Sequence, residues 1–310
     1  MKVFITGILG QIGSHLAECL LEKNIHVLGI DNLSTGKKYH LDEHKKLKIK
    51  IGSIENSKLV DSLMDDFKPD IIVHTAASYK DPNDWQSDVS TNCLGSVNLI
   101  KKSLDLKVSR FIYFQTALCY GLKPLENPIT LNHPKLPANS SYAISKTAAE
   151  DYLELSGLDY VSFRLANVIG PRNLAGALPT FFKRISENKK CFVSKAKRDF
   201  VDVNDLVDVV EKAVDGHGQG AYHFSSGKDY EIKYLYDLVI QELKINHYIE
   251  PEIREVNKDE APSILLDASK TLKDYGSEII KTELRETVRK AIIYYKKFGV
   301  ERSHTHLKQN

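Results

Sequence analysis

The 310-residue sequence predicts an α/β protein, a doubly wound parallel sheet with a smaller C-terminal α/β domain closing over it. Three observations predict it. Short apolar runs rich in Val and Ile alternate with longer helical stretches from the first residue; glycines crowd the first strand-to-helix turn; and beyond about residue 166 the rhythm loosens into shorter segments bearing Pro and Gly. Continuous apolar strands separated by helices are the pattern of parallel strands covered on both faces. With 42% hydrophobic and 27% charged residues, a chain of this length has ample material for a core.

The elements follow in order. A strand over 3–6, a helix over 10–22 and a strand over 27–31 make a βαβ unit. A strand over 47–51, a helix over 57–67, a strand over 71–76, a helix over 89–106, a strand over 111–115, a helix from 142 and a strand over 160–165 continue it. Residues 1–165 are accordingly expected to form the first domain, and residues 166–310 mainly the second, with some segments returning to the first. The Pro/Gly-bearing stretches 170–179 and 216–220 belong to the part expected to close over the carboxyl edge of the sheet, where ligands bind in open α/β folds. The last ten residues read as a polar tail.

Composition excludes several roles. The formal charge of +2 comes from scattered lysines, with no basic block that would imply a nucleic-acid partner. No apolar run reaches the roughly 18 residues needed to span a bilayer, and no charged n-region precedes a hydrophobic segment, so no membrane and a cytoplasmic location are expected. Cys19, Cys93, Cys119 and Cys191 match no zinc spacing and read as reduced thiols. His40 and His44 are spaced for one helix face but lack a third ligand, so they read as solvated surface and no metal is expected.

The residues that carry chemistry begin with Thr6-Gly7-Ile8-Leu9-Gly10-Gln11-Ile12-Gly13, between the first strand and the first helix. Alone, such a glycine string is weak evidence. Inside a βαβ unit it is a dinucleotide turn of Rossmann type: the glycines permit the tight turn and close pyrophosphate approach, and Gln11 and Ile12 stand at the helix N-terminus facing the phosphates. Asp31 ends the second strand about 20 residues on, where a carboxylate bonds the adenosine ribose and repels a 2′-phosphate. NAD, rather than NADP, is the expected cofactor. Tyr142 and Lys146, four apart on a helix, project from one face. The Lys146 ammonium is expected to help hold the Tyr142 phenol as phenolate, since a Tyr of ordinary pKa, about ten, is protonated at neutral pH.

Taken together, these segments resemble the extended short-chain dehydrogenase/reductase family, in its NAD-dependent nucleotide-sugar 4-epimerase and dehydratase branch. The likeness spans nearly the whole length. It rests on residues 6–13, Asp31-Asn32-Leu33-Ser34-Thr35-Gly36, His74-Thr75-Ala76-Ala77, residues 116–121 with Tyr142 and Lys146, residues 164–171, and Arg198-Asp199-Phe200-Val201-Asp202-Val203. The stretch Phe114-Gln115-Thr116-Ala117-Leu118-Cys119-Tyr120-Gly121 resembles epimerase-like proteins of bacterial O-antigen clusters. The resemblance implies that Thr116 bonds the substrate's 4-hydroxyl, that Tyr142 accepts and donates the proton, and that Lys146 also bonds the nicotinamide ribose. It places Thr75, Ala76 and Ala77 along the cofactor, Asn92 behind the nicotinamide end, and Asn32, Ser34, Thr35, Gly36, Ser53 and Ile54 around the adenosine end. Asn167 and Arg198 would meet the diphosphate of a nucleotide-sugar substrate, and a homodimer would form through the helices near 89–106 and 142–156.

Some positions depart from the family pattern. Ser53 stands where many relatives have an adenine-binding Asp, Ser194-Lys195-Ala196-Lys197 replaces a longer Gly-Asp-Gly stretch, and no second phosphate-binding Arg is evident around Lys258-Asp259-Glu260. Nucleotide and sugar identity therefore stay open. In the family's 4,6-dehydratases the catalytic Thr is followed by Asp-Glu; here Ala117 and Leu118 follow, and neither moves a proton. The expectation is a UDP-hexose-type 4-epimerase acting through a transient 4-keto sugar in surface-polysaccharide synthesis. The alternatives are a 4-dehydrogenase releasing the ketone, with NADH reoxidised by a second substrate, and a non-catalytic NAD-bound regulatory protein.

Overall fold

A computed structural model describes residues 1–137 and 140–304. Its first half runs β1 (Lys2–Thr6), α1 (Gln11–Glu22), β2 (His26–Asp31), β3 (Leu47–Ile51), α2 (Ser57–Phe67), β4 (Ile71–His74), a short α3 (Trp85–Ser87), α4 (Ser96–Asp105), β5 (Arg110–Thr116), α5 (Ser141–Ser156) and β6 (Tyr160–Leu165). The second half contains β7 (Asn167–Ile169), α6 (Ala177–Ser186), β8 (Phe192–Ser194), β9 (Lys197–Arg198), β10 (Phe200–Asp202), α7 (Val203–Val214), β11 (Gly220–Phe224), β12 (Tyr230–Glu231), α8 (Ile232–Leu243), β13 (Glu252–Arg254), α9 (Ser269–Tyr275) and α10 (Leu284–Phe298).

Seven strands form one sheet in the order β11-β6-β5-β4-β1-β2-β3, each neighbouring pair parallel. The apolar runs explain it. Successive side chains of a strand point to opposite faces, so Val3 and Ile5 join α1 and α7 in one core, while Phe4 joins α2, α4 and α5 in the other. Ile112 and Phe114 of β5 divide from Phe111 and Tyr113 in the same way. Strand order reverses between β1 and β4, and that switch point is where open α/β sheets bind ligands. The carboxyl end of β3 reaches solvent, and its Lys48 and Lys50 protect a sheet edge from further pairing.

β11, together with α7 and α9, packs on the large sheet although it follows residue 166. A further core gathers α6, α8 and α10 around Leu178, Phe182, Tyr236 and Tyr295. The helix expected over 89–106 differs in winding: Asp88–Gly95 is π-helical before α4 begins. Asn92 explains the need, because within those turns its buried amide takes the Ser78 N–H (2.7 Å) and donates to the Ser78 carbonyl (3.0 Å) and Ser145 Oγ (3.0 Å). π turns are frequent at functional sites.

One buried ion pair fixes α5 on the sheet. Glu150, fully buried, accepts from Arg164 Nε (3.1 Å) and Nη2 (3.0 Å) and from Ser162 Oγ (2.5 Å). Arg164 Nη1 donates to Tyr120 Oη (2.7 Å), which pairs with His223 Nε2 of β11 (2.6 Å). Burial alone would push the Glu150 carboxyl up, but Arg164, Ser162 and Lys135 hold it below its ordinary range. Breaking such a pair strands a charge. Arg164→Met should therefore lower stability by about 3–5 kcal/mol, seen as a lower urea midpoint for the cofactor-free protein; an unchanged midpoint would show that the carboxylate finds other partners.

Candidate active site

The glycine turn does what its spacing predicts. Gly7 has φ +68°, and a Cβ there would lie 2.8 Å from the Ala76 nitrogen; a Cβ on Gly13 would lie 2.4 Å from the Gly7 carbonyl oxygen. The turn thus packs directly on the end of β4 and on α1, leaving its backbone facing a cleft of about 460 Å³. At the cleft floor Thr75 Oγ1 donates to the Thr6 carbonyl (2.6 Å), and Ala76 N–H donates to Thr6 Oγ1 (3.2 Å). Thr6 also pairs with His74 Nδ1 (2.7 Å), whose Nε2 meets Ser96 Oγ (2.8 Å); burial holds this imidazole well below its ordinary pKa.

Asp31 closes the second strand as expected. Its Oδ2 accepts from Leu9 N–H (2.9 Å) and its Oδ1 from Leu33 N–H (2.7 Å), with Gly36 packed behind. Burial raises its pKa while the two backbone bonds oppose the rise. Each oxygen keeps a second lone pair for a ribose hydroxyl.

Gly7, Gly10, Gln11, Ile12, Asp31, Asn32, Ser34, Thr35, Ser53, Ile54, Thr75, Ala76, Ala77, Thr116, Tyr142, Lys146 and Asn167 all line this cleft. Gly13, Gly36 and Asn92 stand behind it; Asn92 pins the Ser78 backbone to α5. Arg198 is not brought to the lining. Its Nη2 pairs with Glu260 Oε1 (2.9 Å) and its Nη1 donates to the Lys197 and Ala261 carbonyls (both 2.7 Å).

Sequence reasoning misses His40, Arg172 and Asn173, and also Tyr79, which lines the cleft. His40 is buried rather than solvated: its Nδ1 pairs with the Leu9 carbonyl and its Nε2 with Tyr294 Oη, both at 2.7 Å, so it ties the glycine turn to α10. Burial lowers its pKa to about 4. Arg172 and Asn173 line the cleft directly after Gly170-Pro171, the end of a segment already singled out. Gln11 Nε2, Arg172 Nη1 and Asn173 Oδ1 are buried without a hydrogen-bond partner among the described residues. Buried polar atoms are normally paired, and two orphaned donors beside a helix N-terminus suit a pyrophosphate. The residues present therefore fit a dinucleotide.

The electrostatics of the Tyr142–Lys146 pair without cofactor are dominated by burial. Tyr142 and Lys146 share the cleft, but burial, with Tyr79 and Asp88 adding to it, raises the phenol pKa above its ordinary value. Lys146 Nζ lies 4.0 Å over the Tyr113 ring, and burial lowers its pKa to about 7 against the pull of Glu150. In the cofactor-free chain burial thus works against the phenolate that Lys146 is expected to help hold. Thr116 lies beside them, its Oγ1 accepting from Leu118 N–H (3.2 Å).

A switch-point cleft with this turn, acid and Tyr–Lys pair defines a dinucleotide-binding α/β oxidoreductase fold. The chain belongs to the NAD dependent epimerase/dehydratase family, whose model matches residues 3–227, and it is an NAD-dependent enzyme of that kind. It is similar to WbmH of Bordetella bronchiseptica, solved in complex with NAD+, at 59% identity and a TM-score of 0.94 over 96% of this chain and 99% of that one. WbmG of the same organism, solved with NAD and UDP, is 38% identical, with a TM-score of 0.90 over 100% of this chain and 99% of that one. A UDP-glucose 4-epimerase of Mycolicibacterium smegmatis is 30% identical over 249 residues, 74% of this chain and 78% of that protein. Among the described residues no helix is long and apolar enough to cross a membrane.

Lys146 yields a stability prediction. Its pKa falls from 10.5 to about 7 on folding, so between those values the unfolded chain holds the proton more tightly and stability rises with pH. Below about 7 the folded state carries the whole penalty. Lys146→Met should raise the melting temperature of the cofactor-free protein at pH 7 by several degrees, corresponding to about 1–4 kcal/mol, with the advantage shrinking toward about pH 10. A Met variant less stable at pH 7 would show that the contact with the Tyr113 ring outweighs desolvation.

Proposed function

We propose that this protein is a nucleotide-sugar 4-epimerase of UDP-hexose type, working through a transient 4-keto sugar in bacterial surface-polysaccharide synthesis. The carrying observation is that Thr116, Tyr142 and Lys146 line one cleft while Ala117 and Leu118, the next two residues, offer no acid or base for dehydration. The UDP bound to the similar WbmG supports the choice of nucleotide.

When bound, NAD supplies the hydride acceptor and donor. The Thr116 hydroxyl orients the sugar's 4-hydroxyl toward Tyr142. Tyr142, as the phenolate that bound NAD would favour, takes the 4-hydroxyl proton as C4 is oxidised and returns it as the inverted alcohol forms. Lys146 would bond the nicotinamide ribose and would supply charge when the cleft's ligands restore its proton. Asn167 reaches the substrate side from β7, and residues 166–310 furnish most of that side. Arg198 meets the diphosphate only by exchanging Glu260 for it.

A homodimer accompanies this reading. Val89, Leu94, Leu104, Ile144 and Leu155 are exposed on the helices of one face, Leu155 at 80%. An apolar patch of this kind marks a protein–protein surface. Leu155→Asp should convert the species sedimenting as a dimer to monomer; a wild-type protein that sediments as a monomer refutes the assembly.

Substrate deuterated at C4 tests the reaction. Mass spectrometry should find the label retained at C4 of the inverted sugar with no accumulation of NADH, and Tyr142→Phe should slow turnover about 10²- to 10⁴-fold. A product two hydrogens lighter with label in NADH would make it a 4-dehydrogenase. Loss of water would overturn the exclusion of dehydration.

A further inference from the structure

Three stretches far apart in sequence meet over the cofactor cleft. Thr35 and Lys37 come from the loop after β2, Tyr79 from the segment after β4, and Leu174–Gly176 from the approach to α6. The end of the described chain joins them. His304 N–H donates to the Leu174 carbonyl (2.8 Å) and the Gly176 N–H to the His304 carbonyl (3.0 Å), making a parallel bridge at Ala175, and Glu301 pairs with Lys37 (3.0 Å). Residues 301–304, expected as part of a polar tail, thus run along the border of the cleft, held against its lining residues Ala175 and Tyr79.

Tyr79 ties these pieces together. Its ring lines the cleft alongside Lys80, Ala175 and Gly176 and meets the His304 imidazole edge-on, with centroids 6.5 Å apart and planes at 87°. Its phenol approaches the Thr35 hydroxyl, and burial raises its pKa. Thr35 stands at the adenosine end of the cleft, while Tyr79 also senses Tyr142 at the reactive end. The side chain is therefore a lining residue that interacts with both ends of the cleft.

We propose that Tyr79 and the strap Glu301–His304 form a clasp that closes over bound NAD and retains it between turnovers. The inference rests on the family's NAD dependence and not on the epimerase reading, and its readout needs no sugar. Charge agrees with it. The strap brings Arg302 and His304 toward Lys37 and Lys80; burial first, and the neighbouring cations after it, lower the proton affinity of Lys80 and His304. A pyrophosphate in the cleft supplies the missing counter-charge, so closure and occupancy favour each other.

The test follows NAD leaving the loaded protein, with alcohol dehydrogenase and ethanol converting each released molecule to NADH for absorbance. Tyr79→Ala, and a chain ending at Val300, should each release NAD about tenfold faster, as expected for losing one aromatic contact or its support. The two changes combined should release it no faster than the faster single variant, because they open one clasp. Should the shortened chain fail to fold, Glu301→Lys in the full chain replaces attraction to Lys37 by repulsion and should likewise speed release. Unchanged release in Tyr79→Ala or in either strap variant overturns the clasp, and so do effects that multiply.

Discussion

The reactive helix depends on a charge it buries, the Glu150 carboxylate. α5 points Tyr142 and Lys146 into the cleft and, one turn later, Glu150 into the sheet, where a carboxylate is tolerated only because the Arg164 fork meets it. Arg164 is held through Tyr120 to His223, so the register of α5 against β5, β6 and β11 follows from one ion pair. Tyr113 Oη and Gln115 Nε2 then donate to the Lys146 carbonyl at 2.9 and 3.1 Å. The helix backbone is thus pinned at Lys146.

Desolvation is the other side of that placement. The burial that positions Tyr142 and Lys146 also holds each near its neutral form, raising the phenol and lowering the ammonium. Neither shift helps proton abstraction in the cofactor-free chain. A cleft holding a positively charged nicotinamide and a pyrophosphate has different electrostatics, favouring phenolate near the ring and ammonium near the phosphates. The charge state of the pair therefore depends on occupancy as much as on sequence.

Much of this was legible in the sequence because it depends on local pattern. Strand-to-helix alternation gave the order of β1 to β6, Gly7 and Gly13 gave the turn, and Asp31 gave the acid at the end of β2. What was not legible depends on distant partners. His40 looked like surface because its neighbours are polar, yet its two bonds go to Leu9 and to Tyr294, the latter 254 residues away. The π turns around Asn92 answer to Ser78 and Ser145, and no periodicity in 89–106 announces them. The bridge at His304 is made by Leu174 and Gly176, so the polar composition of 301–304 could not distinguish strap from tail.

Arg198 shows the same limit from the other direction. A motif places a guanidinium where a diphosphate is expected, and the structure already gives it a counter-ion, with Arg198 and Glu260 only 15% and 13% exposed. Burial lowers the Arg198 proton affinity and Glu260 restores part of it, so the pair is close to neutral as seen from the cleft. A diphosphate arriving there meets Glu260 as well as Arg198 and gains nothing from the pair until the carboxylate moves aside. If Glu260 swings away, Arg198 becomes a fork for phosphate, and substrate binding is coupled to the loop between β13 and α9 that carries Glu260. If it does not, the Arg198–Glu260 pair adds no attraction for a diphosphate, and its role is to hold residues 197–198 against the segment that carries Glu260 and Ala261.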